Sequence, residues 1–580
     1  MFDKVKPYMG GYIKYTYAAL AAMFAGLIAS AVPFFMVYRI IKPLIDGETL
    51  SAEFLIVHIA IIFVCELAYA ILYVWGLKFS HISAYNTLKN IRISLQKKLE
   101  RQPLGAIQDM GNGKIKKLFT DDIEQIELLL AHAIPEGISN LSMALISIVC
   151  MFFADWKLAL LSLCSLPLGL LAMGMMFKAG MARMNAYYAA SAKMNATIIE
   201  YVNGMEVVKV FGRDGESYRR YEKDIRDYRD FTLAWYKVCW PWMALYSAIL
   251  PCVALVMLPV GTLFVINGIS TLADLVLVFC LSLSIGMPLL KALAFAGKIP
   301  QLGYKIDEIE KAMDNEPLKS NGNSFIGNSH IVKFDDVRFA YKEQEVLHGV
   351  SLELKEGTLT ALVGESGSGK STLAKLLVHY YDLNGGNISI GGQDITDMSI
   401  EALNDNISYV SQEQFLFNTT LYDNILIGRP DASREDVLAA AEKAQCGEFL
   451  ARLPEGIDTM AGDGGKQLSG GERQRISLAR AILKNAPVIV LDEATAFIDP
   501  ENEEKMNAAI DEIIKGKTVL VIAHRLQTIV NADTICVMKD GNIIAADTHE
   551  KLLQGCEEYR KLWNSSEARA SWQIGNEVTA

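Results

Sequence analysis

The chain lacks the features that mark several large classes of protein. It has no excess of basic residues: Lys and Arg number 55 against 66 Asp and Glu, the net charge is −11, and no basic stripe with interleaved aromatics appears. That excludes a surface built for nucleic acid, which sets cationic side chains against phosphates. Cysteine is sparse, with nine residues scattered singly, mostly within apolar runs, and without C-x-x-C or other metal spacing. Buried free thiols are the expectation, not a disulfide or zinc framework. Residues 1–11 mix charge with apolar character, unlike a cleaved signal peptide.

Apolar character is abundant. Hydrophobic residues make up 51% of the 580, and the mean hydropathy is +0.22. The length calls for two or more domains. Long uncharged runs fill the first 300 residues, whereas the remainder reads as α/β. Since Gly364 to Thr372 also fits the phosphate-loop pattern G-x-x-x-x-G-K-[ST], the expected fold class is an α-helical transmembrane domain of six spans followed by an α/β P-loop ATPase domain. The expected boundaries are 1–312 for the first, a linker over 313–330 rich in Asn, Gly and Ser, 331–565 for the second, and a tail over 566–580.

The spans fall near 15–40, 54–78, 134–154, 157–178, 240–266 and 271–297. A lead-in helix over Phe2 to Met9, ended by Gly10-Gly11, precedes them. The links after spans two and four are long and rich in basic residues, including Lys97, Lys98, Arg101, Lys116, Arg213, Arg219 and Arg220. The positive-inside rule makes both links, and both termini, cytoplasmic. Links of that length predict helical hairpins that carry a short helix at each tip down onto another domain, over Pro103 to Lys114 and Gly204 to Gly212. Within the spans, Glu66 and His58 are candidates for a substrate pathway, since an ionisable residue at that depth faces a cavity or a partner. Pro251, Pro259 and Gly261 predict a kink in span five. The cluster Met173, Met175, Met176, Met181, Met184 and Met194 reads as packing.

Gly364-Glu365-Ser366-Gly367-Ser368-Gly369-Lys370-Ser371-Thr372 fits the phosphate-binding pattern G-x-x-x-x-G-K-[ST], between an apolar strand and an apolar-periodic helix. Its glycines let successive N–H groups turn inward at phosphate oxygens. Lys370 would reach the terminal phosphates and Ser371 a magnesium ion. Val488 to Asp492 is an apolar strand ending in a carboxylate, the residue that holds magnesium in such enzymes. Glu493 follows and is the candidate general base that polarises the attacking water. His524, at the end of another strand, would touch the γ-phosphate.

Leu468-Ser469-Gly470-Gly471-Glu472-Arg473-Gln474-Arg475 resembles the signature of ATP-binding cassette (ABC) transporters and lies between the phosphate loop and Asp492, as it does in that family. The resemblance covers the whole chain, since six spans followed by one nucleotide-binding domain is similar to the half-transporters of the exporter fold. It implies ATP and Mg2+ as cofactors, and it implies roles for further residues. Tyr341 would stack on adenine, Gln412 would be the Q-loop glutamine beside the magnesium held with Ser371 and Asp492, Asp499 the D-loop aspartate and His524 the switch histidine. Ser469, Gly470, Gly471 and Glu472 would face the ATP of a second half-transporter, so the chain is expected to work as a dimer in the lipid bilayer.

Two departures bear on substrate. Ala494-Thr495-Ala496-Phe497-Ile498-Asp499-Pro500-Glu501-Asn502-Glu503 resembles the siderophore-handling branch, whose members take iron–siderophore complexes inward, commonly as pairs of different subunits. Asp463, in Ala461 to Gly465, stands where many exporters carry a glutamate in the segment that senses the coupling helices. The resemblance implies ATP-driven movement of a solute across the cytoplasmic membrane by a heterodimer, with a homodimer as the alternative. A metallophore taken up is the first expectation, and export of drugs, peptides or lipids the second. A channel or regulator would normally carry regulatory segments, which Ser565 to Ala580 does not resemble.

Overall fold

Among the described residues, six stretches of the N-terminal half are long and apolar enough to cross a membrane. Such stretches fold as helix because only a helix satisfies every backbone N–H and C=O within one segment. The computed structural model describes residues 2–211, 214–314, 316–412, 414–492, 500–523 and 525–566. Helix α1 (Phe2–Met9) comes first, and Gly10, at φ +51°, turns the chain towards α2 (Ile13–Ile45). Helix α3 (Ala52–Leu99) has 48 residues. At about 1.5 Å per residue it reaches well beyond a hydrocarbon core about 30 Å thick, so the polar link expected after span two continues the same helix. Then come α4 (Leu104–Met110), α5 (Asn112–Lys117) and two π-helical turns, Leu118–Asp122 and Leu128–Ala133. The remaining helices of this half are α6 (Pro135–Ala154), α7 (Trp156–Leu163), α8 (Ser165–Asn203), α9 (Met205–Phe211), α10 (Asp214–Ile249), α11 (Ala254–Ile266) and α12 (Leu272–Met313).

Proline sets two breaks. The span expected over 157–178 is divided at Cys164 between α7 and α8, where Pro167 offers no N–H to the Leu163 carbonyl. The kink expected in span five lies around Pro251, between α10 and α11, whereas Pro259 sits inside α11. Small residues let helices approach. Thr16 and Ser83 share a hydrogen bond of 2.8 Å between α2 and α3, and Ser147 and Ser284 one of 2.6 Å between α6 and α12. Both pairs are buried, so each hydroxyl has the partner that an apolar surrounding requires. Large apolar side chains such as Phe63, Trp75, Phe153 and Ile266 point outward and exposed, a surface suited to lipid and not to water.

The C-terminal residues form two sheets. An antiparallel sheet has the order β2-β1-β4-β5, from β1 (Val332–Tyr341), β2 (Gln344–Leu354), β4 (Gly385–Ile390) and β5 (Gln393–Asp394). The other sheet has the order β10-β9-β3-β8-β7-β6. It is built from β3 (Leu359–Gly364), β6 (Ile407–Val410), β7 (Val488–Asp492), β8 (Thr518–Ile522), β9 (Thr534–Lys539) and β10 (Asn542–Asp547). Its pairings are parallel except for β9 with β10. The helices of this half include α13 (Lys370–Leu377), α14 (Ile400–Asn406), α15 (Leu421–Leu426), α16 (Arg434–Lys443), α17 (Gly447–Arg452), α18 (Gly470–Lys484), α19 (Pro500–Ile514) and α20 (His549–Gly555). Helices α15 to α18 share an apolar core with β7 through Leu421, Val437, Phe449, Ile476 and Leu491.

The chain divides into two compact units, and Glu100–Gly111 groups with the residues from Asn315 onward. The reason is local bonding: Leu104 N–H donates to the Tyr380 carbonyl at 2.9 Å and Leu318 N–H to the Arg101 carbonyl at 2.9 Å.

A Cβ on Gly286 would meet Pro251 Cα at 2.5 Å, so no side chain fits where α12 passes the break in span five. Gly286→Leu is expected to destabilise the protein by about 1–3 kcal/mol, the usual cost of overpacking. Thermal unfolding in detergent reads this directly, and an unchanged midpoint would show that the two backbones are not in contact.

Candidate functional site

The phosphate loop joins β3 to α13 at the carboxyl ends of the parallel strands, where ligands of open α/β sheets bind. Its glycines are required by geometry. Gly364 has φ +155° and a Cβ there would lie 2.2 Å from the Met538 carbonyl oxygen, while Gly369, at φ +100°, caps α13 with Leu347 2.7 Å from where its Cβ would be. Gly367 has φ +84°, and Glu365 and Ser366 are exposed beside it. Ser368, Lys370 and Thr372 are buried. Lys370 Nζ donates to the carbonyls of Gly364 at 2.9 Å and Glu365 at 2.8 Å, which keeps the ammonium at the loop. A cation, a glycine-rich turn and a helix N-terminus together make an anion site.

Asp492 ends β7, a strand whose residues are all buried. Its Oδ1 accepts from Ser371 Oγ at 3.0 Å and its Oδ2 from the Tyr409 hydroxyl at 2.9 Å. Burial, and then the Asp492 carboxylate, push the Tyr409 phenol well above its ordinary value, so it stays protonated and keeps donating. The Ser371 hydroxyl and the Asp492 carboxylate are hard oxygen donors of the kind Mg2+ takes, and the residues present fit that ion. Gln412 lies exposed two positions beyond β6.

Tyr341 ends β1 and stands edge-on to Phe339 at 4.8 Å and to Tyr381 at 5.3 Å. Its hydroxyl is 3.4 Å from Thr372 Oγ1, which brings the ring to the phosphate loop with enough exposure for a base to stack. Burial and the neighbouring Tyr341 push the Tyr381 phenol up to about 12. Tyr381 is also the seat of α4: its hydroxyl donates to Gln108 Oε1 at 3.3 Å, and a Cβ on Gly105 would lie 2.4 Å from its ring. Lys342 pairs with Asp109 at 3.1 Å.

The signature segment opens α18. Ser469 Oγ accepts from Glu472 N–H at 3.3 Å and Glu472 Oε2 accepts from Ser469 N–H at 2.8 Å, a reciprocal capping box. Nothing would crowd a Cβ at Gly470 or Gly471, so this N-terminus, positive by its dipole, is open to an approaching anion. Behind it, Arg480 donates to Asn424 at the backbone carbonyl and at Oδ1, 2.7 and 2.6 Å. Burial lowers the Arg480 guanidinium to about 10. Asp463 is exposed, 3.6 Å from Lys466.

Of the remaining residues expected from sequence, Glu493, Asp499 and His524 lie outside the described residues, as do Phe497 and Gly212 at the end of the second tip. That tip otherwise forms α9, with Val207 and Val210 exposed. Glu66 is exposed on α3. His58 is buried, its Nδ1 2.8 Å from the Phe54 carbonyl and its ring 4.0 Å from that of Phe54. Sequence reasoning missed Tyr409 and Tyr381; the only signal for Tyr409 is a polar ring in a short apolar strand just before Gln412.

Lys370→Ala is expected to weaken ATP binding by about tenfold or more, the worth of hydrogen bonds to a charged group. Equilibrium binding of a fluorescent ATP analogue tests this, and unchanged affinity would mean that the loop does not hold phosphate. Tyr409→Phe is expected to raise the Mg2+ concentration for half-maximal hydrolysis by about tenfold, since Asp492 loses a donor that fixes its orientation. An unaltered Mg2+ dependence would make Tyr409 a packing residue only.

Comparison with known proteins agrees with this geometry. Residues 15–289 match the ABC transporter transmembrane region and residues 347–496 match ABC transporter. The mycobactin import ATP-binding/permease protein IrtA of Mycolicibacterium smegmatis is 35% identical over 500 residues, 84% of this chain and 57% of that protein. The protein of the same name from Mycobacterium tuberculosis is 35% identical over 573 residues, 94% of this chain and 64% of its own. The chain thus spans less than two thirds of the length of these relatives. An ATP-dependent lipid A-core flippase of Legionella pneumophila (strain Paris) is 33% identical over 488 residues, 83% of this chain and 82% of that protein. A solved bacterial Atm1-family ABC exporter with ATP bound superposes with a TM-score of 0.78 at 25% identity, covering 97% of this chain and 98% of that one. With the phosphate loop, the signature helix and six membrane-length helices in one chain, the protein belongs to the ABC transporters, as a half-transporter of the exporter fold.

Proposed function

We propose that the chain is one half of a dimeric transporter that takes up an iron–siderophore complex, or a similar metallophore, across the cytoplasmic membrane at the expense of ATP. The observation that carries this reading is the 35% identity to mycobactin import proteins over most of this chain, together with the string Ala494 to Glu503. The basic links after spans two and four favour a cytoplasmic ATPase domain and cytoplasmic termini.

Lys370 and the inward N–H groups of the loop bind the β- and γ-phosphates, and Tyr341 carries the adenine. Ser371, Gln412 and Asp492 would hold Mg2+, which would supply positive charge to offset the charge that develops on the phosphates. Glu493 polarises the attacking water and His524 steadies the γ-phosphate. The open N-terminus of α18, with Ser469, Gly470, Gly471 and Glu472, serves the nucleotide of the partner chain, and Asp499 has the role of the D-loop aspartate. A site split between two chains makes hydrolysis depend on dimer closure. The partner is a different half-transporter in the first instance, with a homodimer as the alternative.

The flippase relatives, similar over 82% of their own length, favour a second reading: export of a lipid, drug or peptide. Cells carrying the wild type are compared with cells carrying Glu493→Gln, both with the partner half-transporter, for accumulation of labelled ferric siderophore. Uptake is expected to fall to background in the variant. Equal accumulation in both, with raised retention of a lipid or dye in the variant, would overturn import and leave export.

A further inference from the structure

Where α3 leaves its apolar half, His81 meets the π-helical turn that leads into α6. The ligand atoms of His81, Glu127 and His132 lie within 4.8 Å of one another. His81 Nδ1 is 3.3 Å from Glu127 Oε1, and the two imidazole rings stand edge-on with centroids 5.1 Å apart. Around them is a second layer. His132 Nδ1 is 2.6 Å from Glu136 Oε1, and the Tyr85 hydroxyl donates to Glu127 Oε1 at 3.2 Å. The side chains of the four central groups are between 17% and 35% exposed, so the cluster is partly shielded yet reachable from water.

The π-helical turn is what assembles the cluster. Residues five apart on an α-helix are about 140° apart around the axis, which would separate Glu127 from His132. Ile134 N–H instead bonds to the Leu129 carbonyl, five residues back, at 3.0 Å. That wider turn brings positions five apart close to one face, so both side chains reach His81. Such turns cost regular helix bonding and occur frequently at functional sites.

We propose that His81, Glu127 and His132 bind a divalent first-row transition metal of the Zn2+ or Fe2+ class. Two imidazoles and one carboxylate suit these ions, with the remaining positions open to water. Glu136 accepts from His132 Nδ1–H, which leaves Nε2 with the lone pair for the metal; a carboxylate behind a ligating histidine is the usual second shell. Ligand atoms around a four-coordinate ion with bonds of about 2.0–2.1 Å stand about 3.3 Å apart, so binding draws α3 and the π-helical turn together. The ion is a clip between them. The inference is independent of which solute is transported.

The full-length protein with its partner subunit, in phosphatidylcholine nanodiscs without nucleotide, is titrated with Co2+ as the spectroscopic probe. The expected result is visible d–d bands and one Co2+ per copy of this chain, with the bands absent in His81→Asn and His132→Asn. Glu136→Gln should keep the bands but weaken affinity by about tenfold, the effect of losing such a partner. ATP binding in each variant verifies that it has folded. Failure of the wild type to develop the bands at millimolar Co2+, or bands that persist in both histidine variants, would overturn the proposal and leave two His–carboxylate pairs that only tie the helices.

Discussion

A carboxylate buried at the end of a fully buried strand is costly unless donors or a cation satisfy it. Asp492 is in that position, and the C-terminal unit is arranged to meet the demand. Strand β7 lies between β6 and β8, and β3 lies on the other side of β8. Adjacent strands are about 4.8 Å apart, so the start of α13 falls within reach of Asp492 and delivers Ser371, while β6 delivers Tyr409. Phosphate loop, carboxylate and neighbouring strand are therefore a single unit of hydrogen bonding. The aromatic cluster of Phe339, Tyr341 and Tyr381 packs the antiparallel sheet against the same loop.

The transmembrane unit answers a different solvent. Its buried hydroxyl pairs, Thr16 with Ser83 and Ser147 with Ser284, satisfy one another where neither water nor lipid can. Its largest apolar side chains turn outward. Lys305, on α12, reaches Asp122 in the first π-helical turn and compensates a buried acid. Charge is admitted where a partner element supplies the opposite sign.

The six spans, the phosphate loop and the signature were legible in the sequence because each depends on neighbours within about one element. The Pro251 break was legible for the same reason. Tyr409 was not, since its partner lies 83 positions along the chain and only the strand order brings the two together. The π-helical turns escaped because stretches of 5 and 6 residues are too short for a change in apolar period to show. With them went the meeting of His81, Glu127 and His132. The roles of Glu493, Asp499 and His524 rest on sequence, as those residues lie outside the described ones.

The membership of Glu100–Gly111 in the C-terminal unit has a practical side. A fragment begun at Asn315 to obtain the ATPase domain by itself would leave behind the segment that covers Tyr381 and bonds to Tyr380. Its soluble preparation would carry an uncovered aromatic face next to Tyr341. The same holds for chimaeras between half-transporters: the piece that exchanges as one folded body is discontinuous in sequence, and a graft that moves residues 315–580 without 100–111 joins two surfaces that were not matched to each other.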